Sequence, residues 1–152
     1  NNFKGLEHRQ EVVFSNKKIL CINDSNATSF DASKQALSNY NNIYWIVGGL
    51  PKYQDYFHLK NVKNKILKAY IVGKSTSFFK KQIKNDIPYT ISKNIRSAVN
   101  NIYKDLKFSG NSKKTILLSP AAASFDQFNN FENRGIYFKK LIIKKFKSRL
   151  NV

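Results

Sequence analysis

Short apolar runs rich in β-branched and aromatic residues alternate along this chain with stretches whose apolar positions recur every three or four residues. The first kind reads as strand and the second as helix. Glu11–Phe14 and Ile19–Asn23 flank the polar Ser15-Asn16-Lys17-Lys18 and read as a hairpin. A helix is expected over Asp31–Asn39, then a buried strand over Ile43–Val47 ending in Gly48-Gly49. A mostly polar, helix-like stretch runs from Phe57 to Ile66, and Leu67–Val72 is the next strand, stopped by Gly73. A helix over Thr76–Asn85 leads to a short strand, Tyr89–Ile91. Ser92 is the expected cap of a longer helix to Leu106. Thr115–Ser119 is a strand broken by Pro120, and a last helix covers Phe131–Ser148.

Strand then helix, repeated, predicts a three-layer α/β domain. About six mostly parallel strands lie between helices, in a Rossmann-like arrangement opened by the N-terminal hairpin. In such sheets ligands sit beyond the carboxyl ends of the strands. Chemistry is therefore expected on Asp24–Thr28, Gly48–Asp55, Gly73–Ser75 and Pro120–Phe131.

Composition bounds the reading. The chain has 152 residues, 41% of them hydrophobic, which suits one domain of ordinary size. No apolar run approaches the roughly 20 residues of a membrane-spanning helix, and Asn1–Gly5 does not open a signal peptide. The absence of methionine points to a fragment of something longer. Cys21, the lone cysteine, sits in an apolar run and reads as a buried small hydrophobe in a reducing cytoplasm.

The net charge of +18 could mark a nucleic-acid or membrane partner. Only Arg9, Arg96, Arg134 and Arg149 among the 27 cations are arginine, the lysines are scattered, and asparagine, isoleucine and phenylalanine are abundant. That mixture reads as biased composition on solvated faces. No specific nucleic-acid or membrane partner is expected.

Gly73-Lys74-Ser75-Thr76 imitates the end of a phosphate-binding loop. The position five residues before its glycine is Lys68, however, and Ala69–Val72 reads as strand, so a phosphate site is not expected there. No histidine and cysteine spacing suits a metal. Asn23-Asp24-Ser25 after a strand aims short polar groups at the crevice, and Asp24 could accept from a ribose; read alone, a plain helix cap explains it as well. Gly48-Gly49 after a strand would let a ligand approach the backbone, with Lys52 as a nearby cation. Small residues at Pro120–Ala123, with Ser124 and a helix start close by, would suit a carboxylate.

The run Leu118-Ser119-Pro120-Ala121-Ala122-Ala123-Ser124-Phe125-Asp126-Gln127-Phe128-Asn129-Asn130-Phe131-Glu132-Asn133-Arg134-Gly135 resembles a signature of the Mur ligase family, in its D-glutamate-adding branch. Three more segments resemble that family's signatures in the right order. They are Gly5-Leu6-Glu7-His8-Arg9-Gln10-Glu11, Asn23-Asp24-Ser25-x-Ala27-Thr28 and Gly48-Gly49-x-x-Lys52-x-x-Asp55. Together they span nearly the whole chain.

The resemblance implies the carboxyl-terminal domain of an ATP-dependent amide ligase. Such an enzyme phosphorylates UDP-N-acetylmuramoyl-L-alanine and joins it to D-glutamate for peptidoglycan and cell-wall synthesis. It implies that Thr28, Lys52, Ser124 and the Phe131 N–H hold the D-glutamate carboxylates, while Asp24 meets the ribose and Arg9 the phosphates. His8 lies near that nucleotide site without a definable role. ATP and Mg2+ would be held mainly by the enzyme's own two preceding domains, so no catalytic or metal-binding residue is expected in this chain, and no activity from it alone. Asn26 departs from the family's lysine; Ala122, for a common cysteine, exchanges one small residue for another. Two readings compete. One is a basic binding module built on the last helix, whose Phe131, Gly135, Phe138, Ile142, Phe146 and Leu150 share a face. The other is a folylpolyglutamate-type ligase domain.

Overall fold

The computed structural model describes residues 6–147. Gly5 of the first motif and Ser148 and Leu150 of the last helix lie outside the described residues. Six strands form one sheet in the order β1-β2-β6-β3-β4-β5. β1 (Glu11–Ser15) and β2 (Ile19–Asn23) are the expected antiparallel hairpin. β2, β6 (Lys114–Leu118), β3 (Ile43–Gly48), β4 (Ile66–Val72) and β5 (Tyr89–Lys93) run parallel. Among the described residues four helices flank them: α1 (Phe30–Asn39), α2 (Thr76–Ile83), α3 (Ile95–Leu106) and α4 (Phe131–Phe146).

The strand period of two sorts the core into two halves. Ile43, Trp45 and Val47 of β3 point to one face, where Phe30, Ala36 and Leu37 of α1 and Phe79 and Ile83 of α2 cover them. Tyr44 and Ile46 point to the other, under Ile95, Ala98, Val99 and Ile102 of α3 and Phe138, Ile142 and Phe146 of α4. β3 is buried at every position and β6 likewise, as central strands covered on both faces must be. The edge strands β1 and β5 are largely half-exposed.

Two expectations need correction. The stretch from Phe57 to Ile66 is not an α-helix; it is irregular, with a turn at residues 60–62 and one 3-10 turn at Lys63–Lys65 before β4 begins at Ile66. Phe57 and Leu59 are both buried with His58 exposed between them, a spacing of two that a helix cannot bury on one side. Gln82 Oε1 accepts the Phe57 N–H at 3.0 Å. The other correction concerns Ser92, which lies inside β5, 2% exposed, and accepts a hydrogen bond from Asn101 Nδ2 at 3.1 Å. The cap of α3 is Asn94, whose Oδ1 accepts the Ser97 N–H at 2.8 Å. Lys93, at φ 65°, makes the bend between them.

The topology selects one end of the sheet. β6 is the last strand in sequence but lies between β2 and β3. Chain leaving β2 feeds α1 on one face, and chain leaving β3 covers that same face with Phe57 and Leu59. Chain leaving β6 feeds α4 on the opposite face. The connections therefore part at the carboxyl end of β6, the position where open α/β sheets hold ligands.

Candidate functional site

Three loops meet at that end of β6. Leu50, two residues beyond β3, and Ala123, five beyond β6, exchange N–H···O bonds of 2.9 Å each, an isolated antiparallel bridge. This brings the turn carrying Lys52 beside the segment carrying Ser124. The turn is closed by the Asp55 N–H on the Lys52 carbonyl at 3.0 Å. Asp55 Oδ2 in turn accepts the Phe30 N–H of α1 at 2.9 Å, so the last residue of the Gly-Gly-x-x-Lys-x-x-Asp run anchors the loop.

The third loop, after β2, is tied to α4. Ser25 Oγ donates to the Phe131 carbonyl at 2.7 Å. It accepts from Arg134 Nε at 2.9 Å, and Arg134 Nη2 donates to the Ser25 carbonyl at 2.7 Å. Arg134 is 2% exposed. A side chain on Gly49 would meet Arg134 Nη1 and the Ala123 carbonyl, so the arginine reaches the loop after β3 as well. Sequence reasoning gave Arg134 no role. The available signal was its register: three residues after Phe131 and four before Phe138, it falls on the apolar face of α4.

Gly48 and Gly49 have φ of 139° and 137°, which side chains rarely tolerate. The space beside them holds the Val72 and Ala123 carbonyls. What approaches these glycines is neighbouring backbone, whereas the sequence reading reserved that space for a ligand. Gly73-Lys74-Ser75 likewise makes no phosphate loop. Asp126 Oδ2 accepts the Lys74 N–H at 3.1 Å and lies against Gly73, placing negative charge at the start of α2.

Of the residues singled out for D-glutamate, Thr28 and Lys52 are exposed, Phe131 is half-buried at the first turn of α4, and Ser124 is 2% exposed. The Ser124 carbonyl accepts the N–H groups of Gln127 and Phe128 at 3.0 and 2.9 Å. Asn130 caps α4 by accepting the Asn133 N–H at 2.7 Å. First-turn N–H groups such as that of Phe131 have no partner within the helix. Asn26 donates its N–H to the His8 carbonyl at 2.9 Å.

The nucleotide-side residues divide. Arg9 is exposed. His8 is 3% exposed, its Nδ1 lies 2.9 Å from Asn23 Nδ2, and its ring lies edge-on to Phe131. A side chain at Gly135 would strike that ring, which accounts for the glycine at the end of the last motif. Asp24 is 4% exposed, and its carboxylate accepts the Gln10 N–H at 3.1 Å and the Ser119 hydroxyl at 2.6 Å. Ser119 also lies 2.8 Å from the Ser33 hydroxyl, and its carbonyl accepts from Trp45 Nε1 at 2.7 Å. Asp24 therefore joins the ends of β2 and β6 to the loop bearing Arg9.

Burial pushes the Asp24 carboxyl up from 3.8 to about 6, against the opposing pull of the Ser119 and Gln10 hydrogen bonds and the Arg9 charge. The group is harder to ionise folded than unfolded. Its cost to stability is absent below about pH 4, grows between about pH 4 and 6, and is fully present above that. At ~1.4 kcal/mol per pH unit, the displacement from 3.8 to about 6 amounts to ~3 kcal/mol. Asp24→Asn has no such titration. Thermal unfolding followed by circular dichroism should show the variant gaining on the native chain as pH rises through this window. A difference in midpoint that stays constant from pH 4 to 7 would show that the carboxyl ionises freely.

No family model matches the chain. Curated relatives do. The chain is 40% identical over 141 residues to the UDP-N-acetylmuramoylalanine–D-glutamate ligase of Nitrobacter hamburgensis, covering 93% of the chain. It is 42% identical over 139 residues to that of Mesorhizobium japonicum, covering 91%, and 42% identical over 142 residues to that of Phenylobacterium zucineum, covering 93%. It spans about 30% of the length of each. Along nearly its whole described length, the chain is similar to the carboxyl-terminal portion of the UDP-N-acetylmuramoylalanine–D-glutamate ligases.

Proposed function

We propose that this chain is the carboxyl-terminal domain of an ATP-dependent amide ligase that adds D-glutamate to UDP-N-acetylmuramoyl-L-alanine in the cytoplasm, during peptidoglycan precursor synthesis. In that reaction the terminal phosphoryl group of ATP passes to the alanine carboxylate, releasing ADP. The D-glutamate amine then attacks the acyl carbon, and phosphate leaves with the C–O bond. The chain's own part is to hold the amino acid. Lys52 supplies a cation, Thr28 and Ser124 supply hydroxyls and Phe131 a helix-terminal N–H. A dicarboxylate is oriented by this mixture of donors, so that its amine faces the acyl phosphate.

ATP and Mg2+ belong mainly to the two preceding domains of such an enzyme, and this chain alone is inactive. Among the described residues no group of three or more His, Cys, Asp or Glu could hold a metal ion. Arg9, exposed beside the crevice, is the group offered to nucleotide phosphates. Asp24, buried and already accepting two hydrogen bonds, serves chiefly to fix the backbone at Gln10 next to it.

The observation that carries this reading is the Leu50–Ala123 bridge, which brings the Lys52 turn to the Ser124 segment at the point where the sheet's connections part. The packing of α4 weighs against the basic-module reading. The apolar face of α4 is spent on the sheet through Phe138, Ile142 and Phe146, and Lys139 is paired with Glu7 and Glu11 at 2.9 and 3.1 Å. No described helix is long and apolar enough to cross a membrane.

A titration of the 15N-labelled chain tests the reading. D-glutamate should shift the amides of Gly49, Lys52, Ser124 and Phe131 saturably, at concentrations where L-glutamate moves them far less. Equal responses to both enantiomers, or shifts scattered over the surface lysines, would refute it.

A further inference from the structure

Arg134 presents an unresolved cost. It is 2% exposed, and burial pulls its guanidinium down to about 10. Nε and Nη2 are spent on Ser25, yet Nη1 has no hydrogen-bond partner, the only such buried side-chain atom among the described residues. An unmet buried donor on a charged group is expensive, and native structures keep few of them. Nη1 lies close to Gly49, where an added Cβ would come within 3.4 Å of it. Asp126 is the charged group whose field favours the guanidinium, and it is held at Gly73 by the Lys74 N–H.

We propose that Arg134 is a positioning residue for the anionic ligand of this cleft. It locks the Ser25 loop, the Gly49 turn and the first turn of α4 in register, so that the donors those segments carry are already placed when the anion arrives. Three contacts support the lock. Ser25 Oγ joins Arg134 to the Phe131 carbonyl, so a movement of the guanidinium moves the helix start that supplies the Phe131 N–H. The fork on Ser25 fixes the loop that leads to Thr28. The approach to Gly49 touches the turn that leads to Lys52. A planar guanidinium can hold all three at once, whereas an ammonium cannot reproduce the fork. The ligand half of the inference rests on the D-glutamate reading above; the lock itself does not.

Arg134→Lys keeps the charge and loses the fork. Two measurements on the full chain test it. Without ligand, the Ser25 and Gly49 amides, 24 residues apart, should both exchange hydrogen faster in the variant; unchanged exchange overturns the lock. With D-glutamate, the native Arg134 side-chain N–H signals should exchange more slowly, and the variant should bind about tenfold more weakly, ~1.4 kcal/mol. Free guanidinium, and not methylammonium, should restore binding to Arg134→Ala, which a merely structural loss would not allow. Native-like D-glutamate binding by Arg134→Lys overturns the proposal while leaving the site intact. If the native chain shows no D-glutamate response, the site reading fails, and the exchange measurement still decides the lock. Should the arginine variants not fold, Ser25→Ala cuts the same link from the other side and should give the same weakening; native-like binding by it overturns the proposal.

Discussion

Lys52→Ala, made in a ligase carrying this chain, should raise the KM for D-glutamate by roughly 10- to 100-fold, the range of a lost charge-assisted hydrogen bond. It should also lower kcat, because a carboxylate held at one point fewer presents its amine poorly to the acyl phosphate. Lys52 is exposed and sits in a turn held by backbone and by Asp55, so its truncation leaves the fold alone. Stability should change by no more than about 0.5 kcal/mol. Phosphate release measured across D-glutamate concentrations, with ATP and the alanyl substrate saturating, separates the two parameters. A KM within twofold of the native value would remove Lys52 from the site.

The largest effect on stability is expected at Trp45, the single tryptophan and wholly buried. It fills the α1–α2 side of β3, beside Phe57. Trp45→Ala should cost about 3–5 kcal/mol from lost burial and the cavity it leaves. It also removes the indole donor from the Ser119 carbonyl, adding about 1 kcal/mol or more. That sum is comparable to the whole stability of many domains, so the variant should be largely unfolded at 37 °C by far-ultraviolet circular dichroism. Trp45→Phe keeps most of the volume and should retain the fold with a lowered urea midpoint. A folded, cooperative Trp45→Ala would mean that the core can close over the gap.

The strands were legible because burial leaves its mark on residue type. Ile43–Gly48 is apolar throughout as a central strand must be, and the hairpin turn at Ser15–Lys18 is polar as a solvated turn must be. The stretch from Phe57 to Ile66 misled because Leu59, Val62 and Ile66 are spaced by three and four as in a helix, and only Phe57 and Leu59, both buried at a spacing of two, break that pattern. Ser92 misled because serine is as good a cap as asparagine; only the strand's inward alternation distinguishes it from Asn94. The site residues stood out through their motifs. What escaped was the set of groups that hold them. Arg134, Asp126 and Ser119 act through partners from about 50 to 110 residues away, and no local pattern encodes such a distance.

The place of β6 has a consequence for how the chain reaches this structure. The last strand in sequence, it lies between two strands that do not pair with each other. Until residues 114–118 are available, β2 and β3 each present a bare edge of unpaired N–H and C=O groups, and such edges invite association with other chains. The closing contacts are also far apart in sequence, Ile19 with Lys114 and Ile43 with Thr115, which makes folding slow for a domain of this size. Because the Leu50–Ala123 bridge joins the segment after β6 to the loop after β3, that end of the sheet cannot close before β6 is in place. A nascent chain that stalls before β6 therefore leaves the edges of β2 and β3 open beside the place where the candidate site later forms, and a chaperone that shields those edges would be guarding the unfinished site.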